Sequence, residues 1–430
     1  LRSLSLFAAL LLALPPAQAT PSVKLQPDFA LRLRGESREQ NVTFNDALAS
    51  PTDGSWLLLR IRVGLKAEWE APGASFYAQL QDARELGSDR PSIPFVLGSE
   101  GDDPLDFRQA YFEQRASDYT LRLGRQLLAL GDERLVGTSD WSNVGRSFDA
   151  ARLTLPRVGA GLDLFAASVV QVQPGAAQGW QTNHSSSSDV FAGGYSRFAL
   201  RPTLQVEPYV LWRHKKADTL YTVPGVGSAR PYDIPQRIAM LGVRWSGGPP
   251  AKLGGFDYDG EFAWQTGQVR GRQRVDAMFA FPGPGWLVHH AWAAHFGVGF
   301  TTATMGFPVR FYVEHNRATG DRNPADQRDE SFLNLFPTNH KFYGALDALA
   351  WKNMSEMAFT ALATFNPGAK LRLEFHDFNL VTTEDAWFRS NGVSTVRALT
   401  PAARAASRAA GQELDLVFSR TVNPHVSVDA

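Results

Sequence analysis

The chain has 430 residues, no cysteine, and 43 basic side chains balanced by 43 acidic ones, for a formal net charge of zero. That balance excludes a general nucleic-acid binder, whose basic side chains gather into patches or tails. The missing cysteine fits a compartment in which a stray thiol would be oxidised. Length alone would fit two or three soluble domains, but a large β-barrel is a single domain of the same size.

The N-terminus reads as an export signal. Arg2 precedes an apolar run at 4–14, a Pro15-Pro16 break and the small-residue site Ala17-Gln18-Ala19. Residues 1–19 are therefore expected to be a signal peptide, with the mature chain starting near Thr20. The run is too short to cross a bilayer as a helix, and no other stretch reaches about 18 apolar residues. No cysteine follows the site, so a lipid anchor is excluded.

From there a two-residue rhythm of apolar and charged side chains runs along nearly the whole chain. Phe29, Leu31 and Leu33 oppose Arg32, Arg34 and Glu36; Leu59, Ile61, Val63, Leu65, Ala67 and Trp69 oppose Arg60, Arg62, Gly64, Lys66 and Glu68. Leu204, Val206, Val210 and Trp212 oppose Gln205, Glu207 and Arg213. Phe256, Tyr258, Phe262 and Trp264 oppose Asp257, Asp259, Glu261 and Gln265. Trp292, Ala294, Phe296, Val298 and Phe300 oppose His295 and small residues. Val309, Phe311 and Val313 oppose Arg310, Tyr312 and Glu314, and Leu371, Leu373 and Phe375 oppose Arg372, Glu374 and His376. Successive side chains of a strand face opposite sides, so each run has a greasy face and an ionic face. Runs of about ten residues are long enough to cross a bilayer as tilted strands. The expected fold is all-β, a transmembrane antiparallel up-and-down barrel with lipid outside and water inside.

Turn residues punctuate the runs at 71–73, 116–118, 156–159, 201–202, 247–250 and 366–368. Longer polar connections are expected at 86–104, 130–146, 173–190, 214–235, 267–289, 317–354 and 382–410, with a short helix at 401–410. Ser185 to Ser188 read as loop. These breaks give about sixteen strands up to Thr421 and a further one starting near His425. Bacterial barrels have even strand numbers, so eighteen are expected in an intact protein. The first residue is Leu1 and the last Ala430, where such barrels usually end on an aromatic. Residues 20–430 are thus expected to be the barrel, with its C-terminal hairpin missing. At 119–129 Leu121 and Leu123 oppose Arg122, and Gly124 then puts Arg125 where an apolar residue was due; a bulge is expected there.

Several segments resemble the alginate export family. They are Leu-Asp-Phe-Arg-Gln-Ala-Tyr (105–111), Leu-Arg-Leu-Gly-Arg-Gln (121–126), Gly131-Asp132-Glu133-Arg134-Leu135 and Asp140-Trp141-Ser142-Asn143-Val144-Gly145-Arg146-Ser147-Phe148-Asp149. Later come Phe-Pro-Thr-Asn-His-Lys-Phe-Tyr-Gly (336–344) and Gly-Gln-Glu-Leu-Asp-Leu (411–416). The resemblance covers nearly all of the mature chain in order. It implies an eighteen-stranded outer-membrane barrel with an arginine-lined pore for an anionic polysaccharide, and it places Arg108 and Arg125 in segments that match the family's pore-lining strands.

Arginines on the water side carry the functional expectation. Arg32, Arg34, Arg60, Arg62, Arg122, Arg152 and Arg372 share the non-lipid parity, and Arg108 and Arg125 join them as candidate pore-lining, anion-binding residues. Rings of arginine select anions, and guanidinium binds carboxylates in a bidentate way. The alternative is that they pair with lumenal acids such as Glu36, Glu68 and Glu374. Asp257, Asp259 and Glu261 read as polar lining ahead of a calcium site or an acid/base pair. His289, His290 and His295 lack the spacing of a helical zinc motif, and His376 reads as a hydrogen-bonding wall residue. No nucleophile elbow, P-loop or dinucleotide fingerprint is present, so no catalytic residue, metal or cofactor is expected.

The leading expectation is an outer-membrane porin or exporter that passes an alginate-like polysaccharide or oligosaccharide passively. Its partners would be that polymer, outer-membrane lipid and periplasmic export components, with no nucleic acid. Two alternatives stand beside it. One is a general or anion-selective diffusion porin for small solutes; the other is a secreted β-rich polysaccharide lyase or carbohydrate-binding protein.

Overall fold

The computed structural model describes residues 22–39, 54–69, 73–87, 103–159, 161–172, 182–216, 221–222, 229–230, 234–248, 255–274, 280–303, 305–392, 395–397 and 404–430. The expected signal peptide with its Ala17-Gln18-Ala19 site lies outside the described residues. So do parts of the connections expected at 86–104, 173–190, 214–235 and 382–410, including the start of the expected helix at 401–410.

The apolar/ionic rows become strands. In chain order they are β1 (Val23–Arg38), β2 (Gly54–Trp69), β3 (Ala74–Leu86), β4 (Asp103–Arg115), β5 (Thr120–Gln126), β6 (Phe148–Leu155), β7 (Leu162–Gln171) and β8 (His184–Ser196). Then follow β9 (Leu204–Lys215), β10 (Gln236–Gly247), β11 (Gly255–Arg274), β12 (Ala280–Thr302), β13 (Val309–Ala318), β14 (Met354–Asn366), β15 (Ala369–Leu380) and β16 (Ala409–Asn423). A short β17 (Val426–Asp429) ends the series. Each strand pairs antiparallel with the next, as in the unbroken β1–β2 ladder from Val23↔Trp69 to Arg38↔Gly54. The fold is an all-β, up-and-down barrel sheet. Among the described residues β1 pairs only with β2 and β17 only with β16, so these two strands form its edges.

Outward rows are apolar from strand to strand. Phe29, Val63, Val210, Leu241, Phe262, Phe296, Val313, Phe359, Leu373 and Leu416 are all exposed, Phe29 at 69%. An apolar band of this extent is stable only against hydrocarbon or a partner. Among the described residues no helix is long and apolar enough to cross a membrane.

Three departures from the sequence expectation stand out. The described residues of 267–289 are strand: β11 and β12 are 20 and 23 residues long and pair through Val269↔Leu287 and Arg270↔Trp286. Its glycines and prolines read as loop, yet Trp286 and Val288 keep the outward parity while His289 is buried inward. Ser185 to Ser188 are also strand, the start of β8.

The third concerns the lumen. Over a wide arc it is packed, not watery. Connections 127–147 and 319–353 fold inward and pair with each other through a Val136↔Phe336 bridge, with Gly137 N donating to the Phe336 carbonyl at 2.8 Å. Leu128, Leu130, Leu135, Val136, Phe332, Leu335, Phe336, Leu349 and Trp351 form one buried cluster with the wall residues Phe148, Phe165, Phe191, Leu211, Ile238 and Met240. Ala263, Ala291, Ala293 and Ala318 keep the wall thin where the loops press on it. Phe336 sits at the centre, its ring 5.2 Å from Phe148 and 5.0 Å from Phe191.

Two outcomes follow from this packing. The protein should need detergent, show β-type circular dichroism and run with heat-modifiable mobility; a water-soluble helical monomer would contradict the fold. Phe336→Ala should destabilise the loop core by about 3–5 kcal/mol and expose 319–353 to protease while heat-modifiable mobility persists. Unchanged protection would show that the loops are held by something else.

Candidate functional site

β1, β2 and β4 bring five of the nine candidate arginines onto one loop segment, 138–145. Arg32 and Arg60 are direct cross-strand partners, an arrangement of like charges that costs free energy unless acceptors lie between them. The loop supplies those acceptors. Arg32 donates to the carbonyls of Asp140 at 2.8 Å and Ser142 at 3.0 Å, and Arg60 donates to the Asp140 carbonyl at 3.0 Å. The Asp140 carboxylate takes Arg62 at 2.7 Å and Arg60 at 3.2 Å, with Arg108 at 3.6 Å. Arg34 donates to the Trp141 carbonyl and lies 4.1 Å from the centre of that ring.

Arg108 reaches this cluster because of a β-bulge. The β3–β4 register jumps from Gln79↔Gln109 to Leu80↔Phe107, so Arg108 is the extra residue. A bulge re-aims a side chain, and here it lets Leu105, Phe107 and Phe112 all stay exposed while Arg108 turns inward and is 3% exposed. Its guanidinium lies against Gly145, whose φ of +73° and absent Cβ are both required, since a Cβ there would meet Nη2 at 2.7 Å.

The other four candidates are elsewhere. Arg122 pairs with Glu113, Arg152 with Asp163 at 2.7 Å, and Arg372 with Glu374 at 3.1 Å, the wall-pairing alternative. Arg125 corrects the expectation more fully. Its register is unbroken on both sides, Ala110↔Arg125 and Arg125↔Asp149, so Gly124 shifts no phase and Arg125 stays on the row of Leu121 and Leu123. There it binds Asp149 at 2.9 Å and the Asn183 carbonyl at 3.0 Å.

The far arc is acidic. Asp257 holds Arg310, Asp259 accepts from His295 and Tyr312 at 2.8 Å each, and Glu261 accepts from Tyr209 at 2.7 Å, so the three carboxylates are polar lining. Into this arc the same loop inserts Arg134. Arg134 donates to Asn316 at 3.0 Å and to the Tyr343 hydroxyl at 3.3 Å, faces Glu314 at 3.5 Å and stacks 4.0 Å from the Phe342 ring. Arg146, half-buried, donates to the carbonyls of Gly137, Phe336 and Pro337. Sequence reading quoted both arginines within its motifs but gave them no role, because neither lies on an alternating strand.

Loop groups titrate accordingly. Burial pushes the Arg146 guanidinium down to about 10, helped by the charge of Arg213 and opposed by Glu133. For Asp140 burial alone would raise the carboxyl, but the hydrogen bond from Arg62 and the charges of Arg62, Arg60 and Arg108 outweigh it and hold the group below the usual carboxylate range.

The alginate export family model matches residues 25–430. The chain belongs to the alginate export family. It is similar in structure to a BenF-like porin from Pseudomonas fluorescens Pf-5, at 11% identity and a TM-score of 0.55, over 95% of this chain and 91% of that one. Pseudomonas aeruginosa OpdK, solved with vanillate, matches at 10% identity and 0.53, over 95% and 90%. Pseudomonas aeruginosa OpdQ matches at 12% identity and 0.51, over 95% and 90%. No curated protein sequence matches. This member of the family is an outer-membrane transport channel of the porin or exporter kind, not an enzyme.

Asp140→Asn should free the loop from the arginines while the barrel persists. The sign follows from the depressed carboxyl: its contribution is complete above the ordinary carboxylate range and is lost only as pH falls through the lowered value. Proteolysis of 127–147 in the parent should therefore stay slow until pH drops below that range, whereas Asp140→Asn should be cleaved faster at neutral pH with no such acid step. Equal cleavage at neutral pH would contradict the clamp.

Proposed function

We propose that the channel passes an anionic polysaccharide of the uronate type, alginate-like in its repeated carboxylates, along the arginine wall of β1, β2 and β4. The observation that carries this reading is the charge count at the cluster. Among the described residues Arg60, Arg62 and Arg108 share one carboxylate, Asp140, and Arg32 beside them donates to backbone carbonyls and the Asn143 amide oxygen, where a purely structural wall would match charges one to one as Arg152 and Asp163 do. Excess guanidinium in a narrow, partly dehydrated passage raises the local concentration of anions, and salt screens it only partly. The planar fork suits successive carboxylates of a polymer.

A second reading, passage of small anions only, is favoured by the loop core that fills the opposite arc. Polymer block separates the two. We propose further that residues 1–19 direct export and are removed after Ala19, which intact-mass measurement of the outer-membrane form would check.

In planar bilayers Arg62→Glu or Arg108→Glu should shift the reversal potential toward cations. Each should also weaken block of the current by added polyuronate on the order of tenfold or more, the loss of a charge-assisted hydrogen bond. Arg372→Glu, outside the cluster, should change both far less. A parent channel that short uronates cross but polyuronate never blocks would favour the small-anion reading; unchanged selectivity in both cluster variants would remove the assignment.

A further inference from the structure

We propose that β15 and β16 carry a binding site for a divalent cation of the zinc type, built from Glu374, His376 and Asp415. One ligand atom from each of these three residues lies within 4.8 Å of the other two. Donors held at about 2.0–2.2 Å from one tetrahedral ion lie roughly 3.4 Å from each other, so a small rotation of the carboxylates closes the site.

Three independent observations point to a cation. First, Glu374 and Asp415 are direct cross-strand partners, and His376 is the cross-strand partner of Glu413. Like charges placed directly opposite destabilise a strand pair, so two facing carboxylates call for a positive group between them. Arg372, 3.1 Å from Glu374, serves only one of them.

Second, the imidazole is set up as a ligand. His376 Nδ1 lies 2.6 Å from Glu356 Oε1, and Glu356 Oε2 accepts from Asn316 at 2.8 Å. With Nδ1–H donating to that carboxylate, the Nε2 lone pair points the other way. Metal-bound histidines carry this same carboxylate behind the ring. Third, His376 is 2% exposed, and its Nε2 is a buried atom without a hydrogen-bond partner, 3.5 Å from Asp415 Oδ2. That separation is too long for a hydrogen bond and suits two atoms that share one ion.

The donor set selects the ion class. One imidazole with two carboxylates favours zinc or a similar borderline metal, whereas calcium takes an all-oxygen shell. The site also touches the inward loop. Ala345 N donates to Asp415 at 3.3 Å and Leu346 N to Glu413 at 2.8 Å, and Gly344 leaves room for the Glu413 carboxylate. A bound ion would tie β15 to β16 and fix the seat of the 319–353 loop on the wall.

The test uses the tag-free full chain refolded in detergent, stripped with a chelator and titrated with Zn²⁺ by calorimetry and with Co²⁺ by absorbance. One equivalent of Zn²⁺ should bind and raise the unfolding temperature. His376→Gln and Asp415→Asn should each weaken binding at least about tenfold, and Glu356→Gln, a change at a positioning residue, by about 10–100-fold. If either ligand variant loses heat-modifiable mobility, the parent's Co²⁺ spectrum decides. Intense ligand-field bands of a low-coordinate nitrogen/oxygen site support the proposal, and the weak bands of the aqua ion overturn it. Zn²⁺ bound as tightly by folded His376→Gln as by the parent, or no uptake by the parent, would also overturn it and leave His376 as an ion-paired wall residue.

Discussion

Everything in this barrel follows from the need to pair every backbone N–H and C=O inside the bilayer without water. A sheet whose strands each pair with the next meets that need, and its period of two then assigns every side chain to lipid or lumen. The unbroken β1–β2 ladder shows the consequence directly: it fixes Arg32 opposite Arg60 on one face and Leu31 opposite Ile61 on the other. An unpaired charge is costly on the outward face, where Arg125 stands paired with Asp149, so most charges accumulate inside, and the lumen must then find partners for them. The inward loops are that answer. They bring carbonyls and Asp140 to the arginine side, and Arg134 to the acidic side.

Alternation made the strands legible, because it depends only on neighbours along the chain. Phe256, Tyr258 and Phe262 face outward and Asp257, Asp259 and Glu261 inward, as their spacing requires. The strand series was readable for the same reason, but the breaks at 267–289 and at Ser185 to Ser188 were not, since glycine, proline and serine there continue the strands. What depended on a second strand was not readable either. The sequence pattern puts the phase change of the β4–β5 hairpin at Gly124, whereas the extra residue is Arg108, between the pairs Gln79↔Gln109 and Leu80↔Phe107. The apolar spacing of Leu105, Phe107, Ala110 and Phe112 carried that signal, but only the partner's register shows which residue is extra. Arg125 was misplaced as a result.

The loop core was illegible for a stronger reason. Phe336 and Val136 sit in polar, irregular segments, and their burial arises from contact with each other and with Phe148 and Phe191. No local periodicity records such a contact. Ala263, Ala291 and Ala293 belong to the same buried cluster, where small side chains leave the loops room.

The loop at 127–147 carries opposite charges toward opposite walls, and this governs how the passage can widen. Displacing the loop toward the acidic arc breaks the contacts of Asp140 with Arg60 and Arg62, and displacing it toward the arginines breaks those of Arg134 with Glu314 and Asn316. The two anchors are unequal. Arg134 is 2% exposed and held by hydrogen bonds and an aromatic face, so releasing it would strand a buried charge. The Asp140 side chain is 48% exposed, so water and salt weaken its pairs. The weaker anchor is therefore the one that faces the arginine wall. A polyanion entering along that wall offers carboxylates to the same guanidiniums and competes with Asp140 on equal chemical terms. In the proposed function the cargo itself loosens the loop at the place where it must pass, while Arg134 keeps the rest of the loop seated on the far arc.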